Sequence, residues 1–251
     1  MLANGFNADA LRLLGVNRWF ADFPYGWPLL LNTLDLLAVA LALRLIGGVA
    51  SDRQWQIAGL AKPVLAPAIF AGILFVPTFA ALAALFGVNA SIEAQDLIFT
   101  GVVFPVFEEV VFRGLATGVL MRHFGWRFLP AALLPSVFFG AAHLWQGQDL
   151  AESLSIAALT GIGGLWFGWV YWKWAFNLWP AIFLHIGLNS AWSVFALGDN
   201  ALGGQAGNVA RAAVIAGSIA LTLWGQGWIA RLAGSQSATP DKAPTADPAA
   251  P

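Results

Sequence analysis

The chain has no cysteine. Disulfides, thiolate metal sites and a cysteine nucleophile are therefore excluded. Charge is scarce as well: Asp, Glu, Lys and Arg together make up 10% of 251 residues, and the net charge is −1. Soluble domains carry roughly a quarter charged residues. With 59% hydrophobic residues, this chain cannot build a water-wetted exterior, so lipid must be the solvent for most of its surface. No basic stripe is present, and no nucleic-acid partner is expected. A cleaved leader is not expected either, because Asp9, Arg12 and Arg18 interrupt the first apolar residues. Histidine is the last scarcity: there are only three, His123, His143 and His185.

Tryptophan is abundant, with thirteen residues, as suits a protein with two membrane–water boundaries. Residues 63–92, 128–148, 153–172, 174–198 and 212–230 contain no Asp, Glu, Lys or Arg. Two further apolar runs carry charge inside them: 28–46 contains Asp35, and 97–120 contains Glu108, Glu109 and Arg113. About 20 apolar residues cross a bilayer, so the pattern predicts an all-α polytopic transmembrane bundle of about seven spans. Residues 1–27 hold Leu11, Leu14, Trp19, Phe20 and Phe23 among polar residues and are expected to form an interfacial helix. Residues 28–232 are expected to form the membrane domain. Residues 233–251, rich in Ala and Pro, are expected to be a disordered tail.

Loop charges alternate. Arg53, Lys62, Arg122, Arg127, Lys173, Arg231 and Lys242 share one side, and Glu93, Asp96, Asp149, Glu152 and Asp199 share the other. The basic side is cytoplasmic by the positive-inside rule, which puts the N-terminus outside. Arg12, Arg18 and Arg211 dissent. The lone His123 in a basic loop reads as a surface residue, Asp35 as a structural hydrogen-bonding group, and Asp149 and Glu152 as solvated loop charges. Asn177, with Trp172 to Trp179, reads as part of a boundary belt.

Three spans carry side chains that apolar helices rarely tolerate. The first reads FPVFEEVVFRGL over 104–115. Each charge costs on the order of 3 kcal/mol at a membrane helix centre. Glu109 and Arg113 are four apart and can pair on one face. Glu108 lies about 100° round the helix and has no neighbour in its own helix. An apolar site makes a carboxylate a stronger base, which suits a general base near neutrality. Pro105 just before it frees a carbonyl and kinks the helix. The second span reads SVFFGAAHLWQG over 136–147, with Phe139 and His143 four apart and Gly140 to Ala142 open to a close neighbour. The third reads PAIFLHIGLNSAW over 180–192, with His185 and Asn189 four apart. Taken singly, each group also fits a structural role: a charge cluster, a carbonyl-bonded histidine, interhelical glue. Taken together, they supply a base, a second proton-handling group and two donors for an oxyanion, a set suited to water attack on a peptide carbonyl.

The patterns EExxxR at 108–113, FxxxH at 139–143 and HxxxN at 185–189, in this order on separate spans, resemble the CPBP family, also called the CAAX protease or Abi family. The resemblance covers about residues 95–197. It implies a glutamate-type intramembrane endopeptidase in which Glu108 and His143 activate water and His185 and Asn189 form the oxyanion hole. Glu109, Arg113 and Phe139 would be supporting residues. Glu108, His143 and His185 are numerous enough to hold one zinc ion, but the HExxH helix of zinc proteases is absent and a metal-free site is expected, without a cofactor. The expected partners are the lipid bilayer and a peptide or membrane-protein substrate, and the expected place is a bacterial inner membrane. The rival readings are a scaffold or bacteriocin-immunity protein without catalysis and, further off, a proton-coupled transporter.

Overall fold

A computed structural model of the chain describes residues 13–234. It is all-helical, without strands among the described residues. Eight helices follow one another: α1 Gly26–Leu45, α2 Ser51–Ala58, α3 Leu65–Phe86, α4 over 94–122, α5 Phe128–Ala141, α6 Leu150–Lys173, α7 Trp179–Phe195 and α8 Gln205–Leu232. Five of these runs are long and apolar enough to cross a membrane: α1, α3, α5 with its short extension to Gln146, α6 and α8. The other two apolar runs also fold as helices. α4 carries the buried charges, and α7 has only 17 residues.

The helices alternate in direction, so the molecule has two ends. At one end α2, absent from the sequence-based expectation, tucks under the bundle. Its C-cap Gly59 has φ +85°, and a Cβ there would lie 1.9 Å from the Phe176 carbonyl oxygen. Only glycine lets the α2–α3 and α6–α7 connections touch. The connections are then stitched by Asn177 Nδ2 donating to Pro63 O at 2.8 Å and Trp179 Nε1 donating to Leu60 O at 3.1 Å. Asn177 is thus a buried staple as well as a residue of the tryptophan-rich boundary. The carbonyl of Ile57, in the last turn of α2, accepts from both Arg122 and the buried Tyr171 hydroxyl.

At the other end Asp149 and Glu152 are more than solvated charges. Asp149 caps α6 by accepting from the Glu152 N–H at 2.8 Å, and Glu152 accepts from the N–H of Gln148, the residue before the cap, at 2.7 Å, a shifted form of the capping box. The free Glu152 oxygen accepts from Asn200 Nδ2 at 2.8 Å and so ties the α7–α8 loop down.

Two apolar cores hold the bundle. Phe70, Leu74, Val170, Leu184, Val214 and Ile229 join α3, α6, α7 and α8. Ala58, Leu115, Tyr171, Leu178 and Ile182 join α2, α4, α6 and α7. In lipid, helices gain little from hiding apolar surface, and close packing decides instead. Small residues provide it: a Cβ on Gly140 of α5 would lie 2.3 Å from the Ala157 carbonyl oxygen of α6. Outward-facing Val76, Val137 and Ile162 stay well exposed, as the lipid face of a span should.

The N-terminal stretch differs from an amphipathic helix where it is described. Val16–Phe20 form a single 3₁₀ turn, and Leu13, Leu14 and Trp19 are exposed. Leu11, Arg12 and the tail from residue 235 onward lie outside the described residues.

Candidate active site

α4 is not a plain kinked helix. Short α segments alternate with π-helical ones at Phe99–Val103 and Glu109–Thr117. The reason begins at Pro105. In the first π segment the Phe104 N–H reaches back five residues to Phe99 O. The next donor in that register would be residue 105, a proline without an N–H, so Thr100 O loses its helical partner. Asn189 Nδ2 of α7 takes that place at 3.0 Å. Gly101 lets α7 come near enough, since a Cβ there would lie 3.0 Å from Ser190 Oγ. π bulges of this kind are often found at functional sites.

The second π segment carries the charges. Glu109 and Arg113 pair as their spacing predicts, Nη1 to Oε1 at 2.9 Å, with both side chains buried. Arg113 also reaches Gly164 O at 3.4 Å. Its guanidinium lies between two rings, 4.3 Å from the centroid of Phe139 and 5.1 Å from that of Phe167, where ring quadrupoles favour a cation.

His185 is the centre of the arrangement. Its Nδ1 meets Glu109 Oε1 at 2.8 Å, and its Nε2 faces Glu108 Oε2 at 3.6 Å. Glu108, without a neighbour on its own helix, finds its neighbour across the bundle. The His185 ring is held by Phe167 stacked at 5.0 Å and by the edge of Phe139 at 6.1 Å.

His143 is placed differently from expectation. It lies in the short extension that ends the span, not in regular α-helix: α5 ends at Ala141, and His143 starts the turn into the 3₁₀ helix Leu144–Gln146. Its Nδ1 bonds the Phe139 carbonyl oxygen at 2.7 Å. A carbonyl only accepts, so Nδ1 carries the proton, and in the neutral ring the lone pair sits on Nε2. The Phe139 ring lies 4.7 Å from the His143 ring. Phe139 thus touches Arg113, His143 and His185, which gives the FxxxH spacing its physical content.

One cavity of about 1110 Å³ is lined by Glu108, His143, His185 and Asn189 together. Its walls are mainly apolar, and its rim includes Gln146, Asp199 and Asn200. The cavity therefore opens toward the end of the bundle that carries the acidic loops. The three side chains that could serve as zinc ligands do not converge into a ligand group, and no cluster of three or more such residues exists among the described residues.

Residues 90–191 match the family model described as type II CAAX prenyl endopeptidase Rce1-like. This segment is similar to the CAAX-protease family. It runs from the start of α4 into α7 and contains the EExxxR, FxxxH and HxxxN motifs. The family match leaves α1, α3 and α8 outside it. Comparison with curated proteins and with solved structures gave no match.

Sequence reasoning missed several participants. Phe167 and the carbonyls of Thr100 and Gly164 carry no chemical signature of their own. Arg211, which also lines the cavity, was visible only as a departure from the charge pattern of the loops.

Proposed function

We propose that this protein is an intramembrane endopeptidase that uses Glu108 and His143 to activate water against a peptide carbonyl. With α4 and α7 counted as crossings, it has the seven spans expected of its apolar runs, in a bacterial inner membrane. The observation that carries the reading is the convergence of Glu108, His143, His185 and Asn189 on one cavity, with His185 bridging two carboxylates.

The chemistry follows from the geometry. Two carboxylates and one guanidinium leave the buried cluster one negative charge in excess. On this reading a protonated His185, which faces both carboxylates, balances that charge. Water, deprotonated by Glu108 or by Nε2 of His143, adds to the scissile carbonyl carbon as the C–O bond forms. The carbonyl π electrons move to oxygen. That oxyanion accepts from a protonated His185 Nε2 and from the Asn189 N–H not spent on Thr100. Collapse breaks the C–N bond, and the base returns its proton to the leaving amine. The products are a carboxylic acid and a free amine; transfer of the acid proton to the amine leaves a carboxylate and an ammonium. Glu109 and Arg113 touch neither the water nor the carbonyl; they are positioning residues that fix the His185 ring.

Substrates on this reading are peptides or the termini of membrane-associated proteins. The test is cleavage of a fluorogenic peptide library by detergent-purified protein, with and without chelator. Cleavage should vanish in Glu108→Gln and in His143→Ala while the protein still inserts and folds, and chelator should have no effect. Full activity in either variant rejects the assigned roles.

A further inference from the structure

Arg211 sits in the second turn of α8, a membrane-length helix, and its side chain reaches the cavity. A cation inside a span is costly and calls for a partner. Among the described residues Arg211 forms no ion pair; the ion pairs there join Glu109 to Arg113 and His185 to the two glutamates. Its one hydrogen bond goes to a neutral carbonyl, Nη2 to Ala201 O at 2.6 Å. A guanidinium has five N–H donors, so most of its capacity is unspent.

The seat beneath it is built. The guanidinium carbon lies 4.4 Å above the Trp192 ring, a favourable cation–π position. The indole is fixed by Nε1 donating to Asn200 O at 3.2 Å. Two glycines make room for it: a Cβ on Gly203, whose φ is +66°, would lie 2.4 Å from the ring, and one on Gly207 would lie 3.0 Å away. Trp192 stands seven residues beyond His185 on α7, about 10 Å along the helix at ~1.5 Å per residue. One short extended peptide in the cavity can reach both His185 and Arg211.

We infer that Arg211 is a specificity-determining residue that holds a carboxylate of the bound peptide, either a free C-terminus or an Asp or Glu side chain. The inference rests on the reading of this cavity as a peptide site. A planar fork matches a carboxylate through two parallel hydrogen bonds, and an apolar cavity wall strengthens them. The charge pattern of the loops, which Arg211 breaks, is then explained: the residue answers to the cavity, not to the membrane surface.

The test uses full-length Glu108→Gln protein in an uncharged detergent, so that binding is read without turnover. Titration calorimetry compares an acetylated apolar hexapeptide bearing a free C-terminal carboxylate, the same peptide amidated, and the amidated peptide with one Glu near its end. The free acid should bind roughly tenfold tighter than the plain amide. That ratio should fall to about one when Arg211→Gln is added, and Arg211→Lys should keep part of it. Tight binding of the Glu-bearing amide assigns the site to an acidic side chain; weak binding assigns it to the chain terminus. Equal binding of acid and amide, binding of neither, or a preference that survives Arg211→Gln overturns the inference. Cleavage that depends on Glu108 but treats acid and amide alike defeats the role of Arg211 alone. A preference for the acid with no cleavage of any peptide defeats the protease reading alone.

Discussion

Asn189 donates to the carbonyl of Thr100, the group that Pro105 leaves without its helical partner. One side chain therefore has two duties, since the second N–H of the same amide is the one proposed for the oxyanion. Removing Asn189 should orphan a backbone carbonyl, at about 1–3 kcal/mol. It should also lower kcat by roughly 10²–10³.

The two effects can be separated. In Pro105→Ala/Asn189→Ala the restored N–H at 105 can satisfy Thr100, so thermal stability in detergent should recover relative to Asn189→Ala. Activity should stay low. A double variant that regains both would make Asn189 a purely structural residue.

Arg113 is buried against Glu109 and cannot be removed quietly. Arg113→Met should destabilise the fold by about 3–5 kcal/mol, because the buried Glu109 loses its guanidinium countercharge and keeps only the bond to His185 Nδ1. Glu109→Gln/Arg113→Met should be distinctly more stable than Arg113→Met. Equal unfolding midpoints for the two would show that the pair is not energetically coupled.

Gly140 offers a packing test with a built-in control. A Cβ there meets α6 backbone, which cannot swing away, whereas a Cβ on Gly72 of α3 meets nothing within 4 Å. Gly140→Ala should cost roughly 1–3 kcal/mol and should reduce turnover by shifting His143, three residues on. Gly72→Ala should be neutral or slightly stabilising. Similar unfolding profiles for both would reject close α5–α6 contact.

The absence of cysteine makes the topology easy to probe. Asp199→Cys, at the cavity rim, should react in intact cells with a membrane-impermeant maleimide, and Lys62→Cys should react only after lysis. The reverse pattern would place the cavity mouth on the cytoplasmic side.

Much of this site was legible in the sequence, because buried charge in an apolar run is rare enough to be informative. The Glu109–Arg113 contact follows from spacing alone, and so does the separate direction of Glu108. What spacing could not show is that Glu108 faces His185, since that depends on how α4 and α7 are juxtaposed. The π segments of α4 were out of reach for the same reason: Pro105 announces a lost hydrogen bond, but not which register the backbone adopts to absorb it. His143 falls within the apolar run, as its neighbours up to Trp145 suggest, but not in regular helix. The helix ends at Ala141, where the chain must turn toward the α6 cap. Asp149 and Glu152 fit the capping-box spacing, which a reading focused on charge passed over.

The two ends of the bundle differ in how they are fastened. At the α2 end the stitching is sheltered: Gln54 donates to Val49 O, and Tyr171 to Ile57 O, from buried positions. At the cavity end the Glu152–Asn200 and Gln146–Ala201 bonds are only partly buried, so water can compete for their partners. The bundle is thus clasped at its base and more loosely laced at its collar. Amide exchange should run faster over 198–204 than over 54–60, and on the proposed reading a peptide would enter by unlacing the collar while the base, and with it the register of α4, stays fixed.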